Sequence, residues 1–120
     1  MTDQPIMTNP QRALQVWSLL ALAALTRTVL TYEEVAKLTG LPNECARVLG
    51  HVYYYCAKYK LPLLSVLVVS KDTGKPSGDL YDNVHVPGEQ RRCFEHNWLN
   101  QQVPSLKELT DAYDARKATV

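Results

Sequence analysis

The chain has 120 residues and a mass of 13.5 kDa, enough for one domain and one core but too short for a second. Apolar residues make up 46% and charged residues 21%, an ordinary globular balance that excludes a largely disordered, collagen-like or disulfide-framework chain. Thirteen Lys and Arg against twelve Asp and Glu leave a formal net charge of +1. The total therefore points to no nucleic acid, anionic membrane or acidic substrate, and any electrostatic function must come from local arrangement.

Cys45, Cys56 and Cys93 cannot all pair within one chain, and they are scattered, as in the reduced thiols of a cytoplasmic protein. The longest apolar run, 16–25, already contains Ser18, and a membrane span needs about twenty residues. Ala21-Leu22-Ala23 resembles a signal-peptidase site, but the residues before it include Asp3 and Arg12 and lack a basic start. A buried amphipathic helix is the better reading, and no membrane association is expected.

Residues 1–8 are polar and without period, a loose tail ahead of a single domain over 9–120. Asn9-Pro10 reads as a helix start, an Asn cap with Pro at the first position. The helix runs to about Arg27, with Leu14, Trp17, Leu20, Ala21, Ala24 and Leu25 as its apolar stripe. Thr31-Tyr32-Glu33-Glu34 fits a capping box, in which hydroxyl and carboxylate each accept the other's backbone N–H. Val35 and Leu38 then face inward, and Gly40 ends this short helix in the left-handed conformation. Asn43 caps a third helix to about Tyr59, with Val48, Leu49, Val52, Tyr53 and Cys56 at helical spacing. Two helices, one short, joined by a tight Gly-containing turn make a helix-turn-helix pattern.

Leu63 to Val69 reads as a strand. Residues 71–78 are dense in turn formers, and Leu80-Tyr81 begins a return strand. Two strands and a polar turn after a helix-turn-helix make a wing. A fourth helix is expected from about Gly88 to Trp98. A fifth runs from the Ser105 cap, with Glu108 at its third position, to about Arg116, with Leu106, Leu109 and Tyr113 as its stripe. The fold class is thus mainly α with a small β wing (α+β): a winged helix-turn-helix with a C-terminal helical extension over about 88–117.

The stretch up to Tyr81 carries a family resemblance. Tyr32 to Gly40 is similar to the Y-x-x-[LIV]-A-x-x-x-G segment of the alkylguanine-DNA alkyltransferases and alkyltransferase-like proteins. Arg47-Val48-Leu49-Gly50 resembles their R-A-V-G, and Pro62-Leu63-Leu64-Ser65-Val66 stands in the place of their P-C-H-R-V. Val68-Val69, Gly74, Gly78 and Tyr81 follow the order of their V-V-x-x-x-G-x-x-G-Y tail. The resemblance covers about half of the chain, with one extra residue between Gly40 and Gly50. It implies a winged-helix fold whose R-A-V-G helix enters the minor groove. By the same resemblance Arg47 would fill the space left by a flipped base, and Tyr32 would help to rotate the phosphate. The alkyl-accepting cysteine is Leu63 here and the activating histidine is Leu64. Without a thiolate and its partner there is no activated nucleophile, so what the resemblance carries over is the DNA-binding scaffold, not alkyl transfer.

Read as residues alone, Arg47 is either a groove-inserting arginine or a solvated helix arginine. Tyr32, one residue past a cap, either reaches a phosphate or packs on the next helix. Tyr53, Tyr54, Tyr55 and Tyr59 share a helix with Lys58 and Lys60, a composition suited to base stacking and phosphate contact. Because residues 53–55 point in three directions, at least one is core; Tyr53 is the expected core residue, with Tyr54 or Tyr55 at the surface. Between Leu41 and Pro76 lie five basic and two acidic residues, while acids outnumber bases beyond Ser77. Lys71 and Lys75 fall on the wing turn, where backbone contacts are expected, and Arg91-Arg92 either add a contact or face water. His51, His85 and His96 stand alone, and no Cys or His pair has zinc-ligand spacing; no metal or other cofactor is expected. Phe94, Trp98 and Tyr113 either close the core or form a surface for a homodimer or protein partner.

The expectation is therefore a non-catalytic winged-helix protein that binds duplex DNA, a small regulator or accessory factor of a bacterial or mobile-element system. Tyr32, Asn43, Arg47 and Lys58 would meet the groove, and Lys71 and Lys75 the backbone. The rival is a protein-interaction module on the same scaffold that has lost DNA binding.

Overall fold

A computed structural model describes residues 7–40 and 45–116. It is mainly helical, with one small two-stranded parallel sheet. The first helix, α1 (Asn9–Leu25), begins at Asn9 itself, one residue earlier than expected. Thr8 is the N-cap, and its hydroxyl and the Gln11 side chain satisfy each other's backbone N–H groups. Pro10 then sits in the first turn, where its missing donor costs nothing. The helix buries Ala13, Val16, Trp17, Leu20, Ala23 and Ala24 and leaves Leu25 42% exposed, so the buried stripe is centred on small residues that admit close neighbours. Trp17 is the hub. Its ring meets Tyr55 edge-on at 5.3 Å and Trp98 at 5.6 Å.

Strand β1 (Leu30–Thr31) runs directly into α2 (Tyr32–Thr39). The expected capping box is present, with both Thr31 and Glu34 side chains engaged. Gly40 ends the helix at φ +71°, a conformation that costs a residue with a Cβ but not glycine. Leu38, expected to face inward, is 63% exposed. In so short a helix Val35 alone reaches the core. Helix α3 (Cys45–Lys58) follows, and Asn43, its expected cap, lies outside the described residues. Among its tyrosines the core residue is Tyr55, 4% exposed, and not Tyr53. α3 packs against α1 on one side, which fixes Tyr55 beside Trp17.

The strand expected over 63–69 is mostly a 3-10 turn at Leu64–Leu67, and only β2 (Val68–Val69) is extended. A short apolar run has no period that separates strand from buried turn. Among the described residues the only strand to pair with is the two-residue β1, in parallel register Leu30–Val68 and Thr31–Val69. The four residues before it satisfy their backbone locally instead, as in Val66 N–H to the Leu63 carbonyl at 3.0 Å. The return strand expected at Leu80-Tyr81 is likewise absent: Asp79–Tyr81 is a 3-10 turn entered through Gly78 at φ +105°. The loop after β2 closes on itself, with Ser70 N–H to the Lys75 carbonyl and Gly74 N–H to the Ser70 carbonyl, both 2.8 Å.

Helix α4 (Val86–Glu95) starts two residues ahead of its expected position because His85 caps it, Nδ1 accepting the Gly88 N–H at 3.1 Å. Trp98 lies past its end in a 3-10 turn, Nε1–H donating to the Cys93 carbonyl at 2.8 Å. Ser105 and Glu108 form the expected capping box of α5 (Leu106–Asp114). That helix buries Leu109 and Ala112 and leaves Leu106 exposed. Phe94, Trp98 and Tyr113 all pack against the core, which is core closure by the C-terminal helices. Among the described residues no helix is long and apolar enough to cross a membrane.

Candidate nucleic-acid interface

The start of α2, the start of α3 and the loop that carries Lys71 and Lys75 meet around Tyr32. Tyr32 is the first residue of α2, held in place by the capping box just before it. Its hydroxyl accepts the Ser77 N–H at 2.8 Å. The phenol that was expected to reach a phosphate is thus a clamp on the loop. The same hydroxyl donates to the Ser77 carbonyl at 3.5 Å, so its one donor is also engaged on the loop.

A small cleft of about 230 Å³ is lined by Tyr32, Ala46, Leu49, Ser77, Leu80 and Tyr81. It brings the first turn of α3 beside the loop. Arg47 follows Ala46 in the first turn of α3 and is exposed. Its carbonyl lies 2.9 Å from His51 Nδ1 one turn on. Lys75 is exposed on the far flank of the loop, and Lys71 on the near flank. Lys71 shares a cleft with Thr31, Glu33, Glu34 and Lys37. Each lysine thus shares its cleft with carboxylate side chains, Lys71 with Glu33 and Glu34 and Lys75 with Asp82.

Lys58 does not join this group. It is eleven residues beyond Arg47 on the same helix, about 16 Å along the axis at 1.5 Å per residue, and it lies in a groove against α5. Lys60, past the helix end, takes a left-handed φ of +57°. Tyr53 is half-buried, donating to the Leu80 carbonyl at 3.3 Å and meeting Tyr54 and Tyr81 edge-on. This second tyrosine–loop bond was not legible in the sequence, because Leu80 was read as strand. Arg92 pairs with Glu89 at 2.7 Å one turn back, and Arg91 is exposed.

The residues in the place of the alkyl-acceptor motif are apolar and internal. Leu64 is fully buried, and Leu63 is half-buried with its N–H donating to Glu89 Oε1 at 3.2 Å. Burial pushes the Cys56 thiol up to about 12 and raises those of Cys93 and Cys45 as well. All three are therefore poor thiolates at neutral pH. Among the described residues no three His, Cys, Asp or Glu side chains gather as metal ligands.

A stack between α3 and α5, one turn along α3 from Arg47, had no signal in the sequence. His51 lies on Tyr113 with ring centroids 3.9 Å apart and planes at 3°, and the Arg116 guanidinium is 3.7 Å from the Tyr113 centroid. Two planar groups that close cannot share one ring face, so they take opposite faces. Gly50 makes this possible: a Cβ there would stand 3.2 Å from Tyr113 Cε1. Comparison of the chain with protein-family models, curated proteins and solved structures gave no match.

Proposed function

We propose that the protein is a non-catalytic winged helix-turn-helix DNA-binding protein whose wing is reduced to the self-closed loop 70–78. The observation that carries this reading is the Tyr32–Ser77 hydrogen bond at 2.8 Å. It fastens the loop that carries Lys71 and Lys75 against the start of α2, beside the first turn of α3. A backbone N–H held by a helix-borne hydroxyl keeps a loop in register, and phosphate contacts need that kind of positioning. In this reading Arg47 enters a groove and Lys71 and Lys75 meet the backbone, each beside carboxylates of its own cleft. Lys58 is outside the footprint.

A second reading, a protein-interaction module, is favoured by one observation. Leu99 is 81% exposed and Val103 57%, both in the connection between α4 and α5. Apolar side chains so exposed and so close in sequence fit a partner surface.

A fluorescence-anisotropy titration of random duplex DNA at increasing salt separates the two. Two phosphate contacts, from Lys71 and Lys75, give a log K against log salt slope of about −2. Lys75→Ala and Lys71→Ala should each reduce that slope by about 1, and Lys58→Ala should leave it unchanged. Arg47→Ala should lower affinity with Tm unmoved. No measurable binding at low salt would refute the DNA reading and leave the interaction module.

A further inference from the structure

We propose that His85 is a pH-operated latch on α4: while its Nδ1 is unprotonated it caps the helix and so holds the turn 63–67 in place, and protonation releases both. The cap is one bond, in which Nδ1 accepts the Gly88 N–H at 3.1 Å. A ring nitrogen accepts only through a free lone pair, and the imidazolium has none. Histidine is also the side chain that ordinarily gains its proton between about pH 8 and 5. The caps of α1, α2 and α5 are Thr8, Thr31 and Ser105, whose hydroxyls accept unchanged throughout that range.

Ring and helix are fitted to each other. A Cβ on residue 88 would stand 2.6 Å from the His85 Nδ1, so glycine is what admits the imidazole. The same turn, Val86-Pro87-Gly88, has little helix propensity of its own and depends on its cap. The next two residues hold the turn 63–67. Glu89 Oε1 accepts the Leu63 N–H at 3.2 Å, and Gln90 Nε2–H donates to the Val66 carbonyl at 3.0 Å. That turn runs straight into β2 and the loop of Lys71 and Lys75, so the latch acts at the root of the basic loop. His85 shares its cleft with Lys75 of the loop and with Tyr81 and Asp82; on its own helix Glu89 is engaged by Leu63 and Arg92. Asp82 attracts an imidazolium and Lys75 repels it, whereas the positive end of α4 repels it most strongly in the capping position. The charged ring is therefore driven off the cap. The latch holds whether or not the protein binds DNA.

The test is amide hydrogen exchange of the full chain, read by NMR from about pH 7.5 to 5.5, each rate divided by the intrinsic rate at that pH. The reference is the Leu109 N–H, bonded to the Ser105 carbonyl in α5, which reports any general acid loosening. Protection of the Gly88 and Leu63 N–H groups should fall about fivefold more than that of Leu109, the worth of one N-cap. In His85→Asn, whose amide caps without titrating, that excess should disappear and protection stay high. In His85→Ala it should disappear with protection low at both ends of the range. No excess fall in the unaltered protein overturns the proposal, and so does an excess that persists in His85→Asn. A fall at Gly88 without one at Leu63 overturns the link to the turn 63–67.

Discussion

The imidazole of His51 lies flat on the phenol of Tyr113, joining the middle of α3 to the last turn of α5. Burial lowers the His51 pKa below its usual value, and the positive charge of Arg116 works in the same direction against the backbone bond from Arg47. The folded state thus holds His51 neutral where the unfolded chain would already bind a proton. As pH falls through the ordinary histidine range near 6.5 the unfolded state takes up more protons, so stability falls with pH. Thermal melts between pH 7.5 and 5 should show Tm decreasing. In His51→Phe, which keeps a ring on Tyr113, the part of that slope due to His51 should vanish. An identical slope in both proteins would show that other groups set the acid sensitivity.

Gly50 is the second point of control on this junction. Replacing a mid-helix glycine with alanine ordinarily gains about 1 kcal/mol. At Gly50 the new methyl meets Tyr113 Cε1 at 3.2 Å, and Tyr113 is held on both faces and has no room to give. Gly50→Ala should therefore be destabilising, by about 1 kcal/mol net, and Gly50→Val by up to about 3 kcal/mol. Denaturant unfolding measures both, and a stabilised alanine variant would mean that α5 shifts freely.

Removing one hydroxyl from the loop clamp should separate local from global stability. In Tyr32→Phe the Ser77 N–H loses its acceptor, but Ser77 is exposed and water replaces it. Tm should hardly move. Loop opening should become easier by about 1 kcal/mol, and cleavage after Lys71 by limiting trypsin about fivefold faster. A large drop in Tm with no change in cleavage would make Tyr32 a core residue instead.

The three thiols should divide by burial. At pH 8 a disulfide-exchange reagent should label Cys45, half-buried at the start of α3, slowly in the native protein. Cys56 and Cys93, both buried and raised in pKa, should react only as the protein opens. Incubation with alkylated-guanine DNA should add no mass to any of them.

What the sequence made legible was local. The Thr31–Glu34 and Ser105–Glu108 boxes and the Gly40 stop each depend on residues within one turn, and each formed where expected. The core face of α3 depended on what packs against it, and the contact of Tyr55 with Trp17, not any spacing, decided which tyrosine was buried. Leu64–Leu67 looked like a strand because its composition is that of one, yet a strand needs a partner of matching length. The clamp of Tyr32 on Ser77 and the stack of His51 on Tyr113 join residues remote in sequence, with no shared pattern to announce them. For the candidate interface, the sequence identified Arg47, Lys71 and Lys75 but not the carboxylates that Lys71 faces.

The parallel direction of the β1–β2 pair has one further effect. Both strands leave the two-residue ladder at the same end, β1 into Tyr32 and β2 into Ser70 and Lys71. Had they run antiparallel, the basic loop would have emerged at the opposite end, away from the start of α2. The polarity of two backbone segments, rather than any residue of the loop, decides that Ser77 lies within reach of Tyr32 and that Lys71 looks onto Glu33 and Glu34.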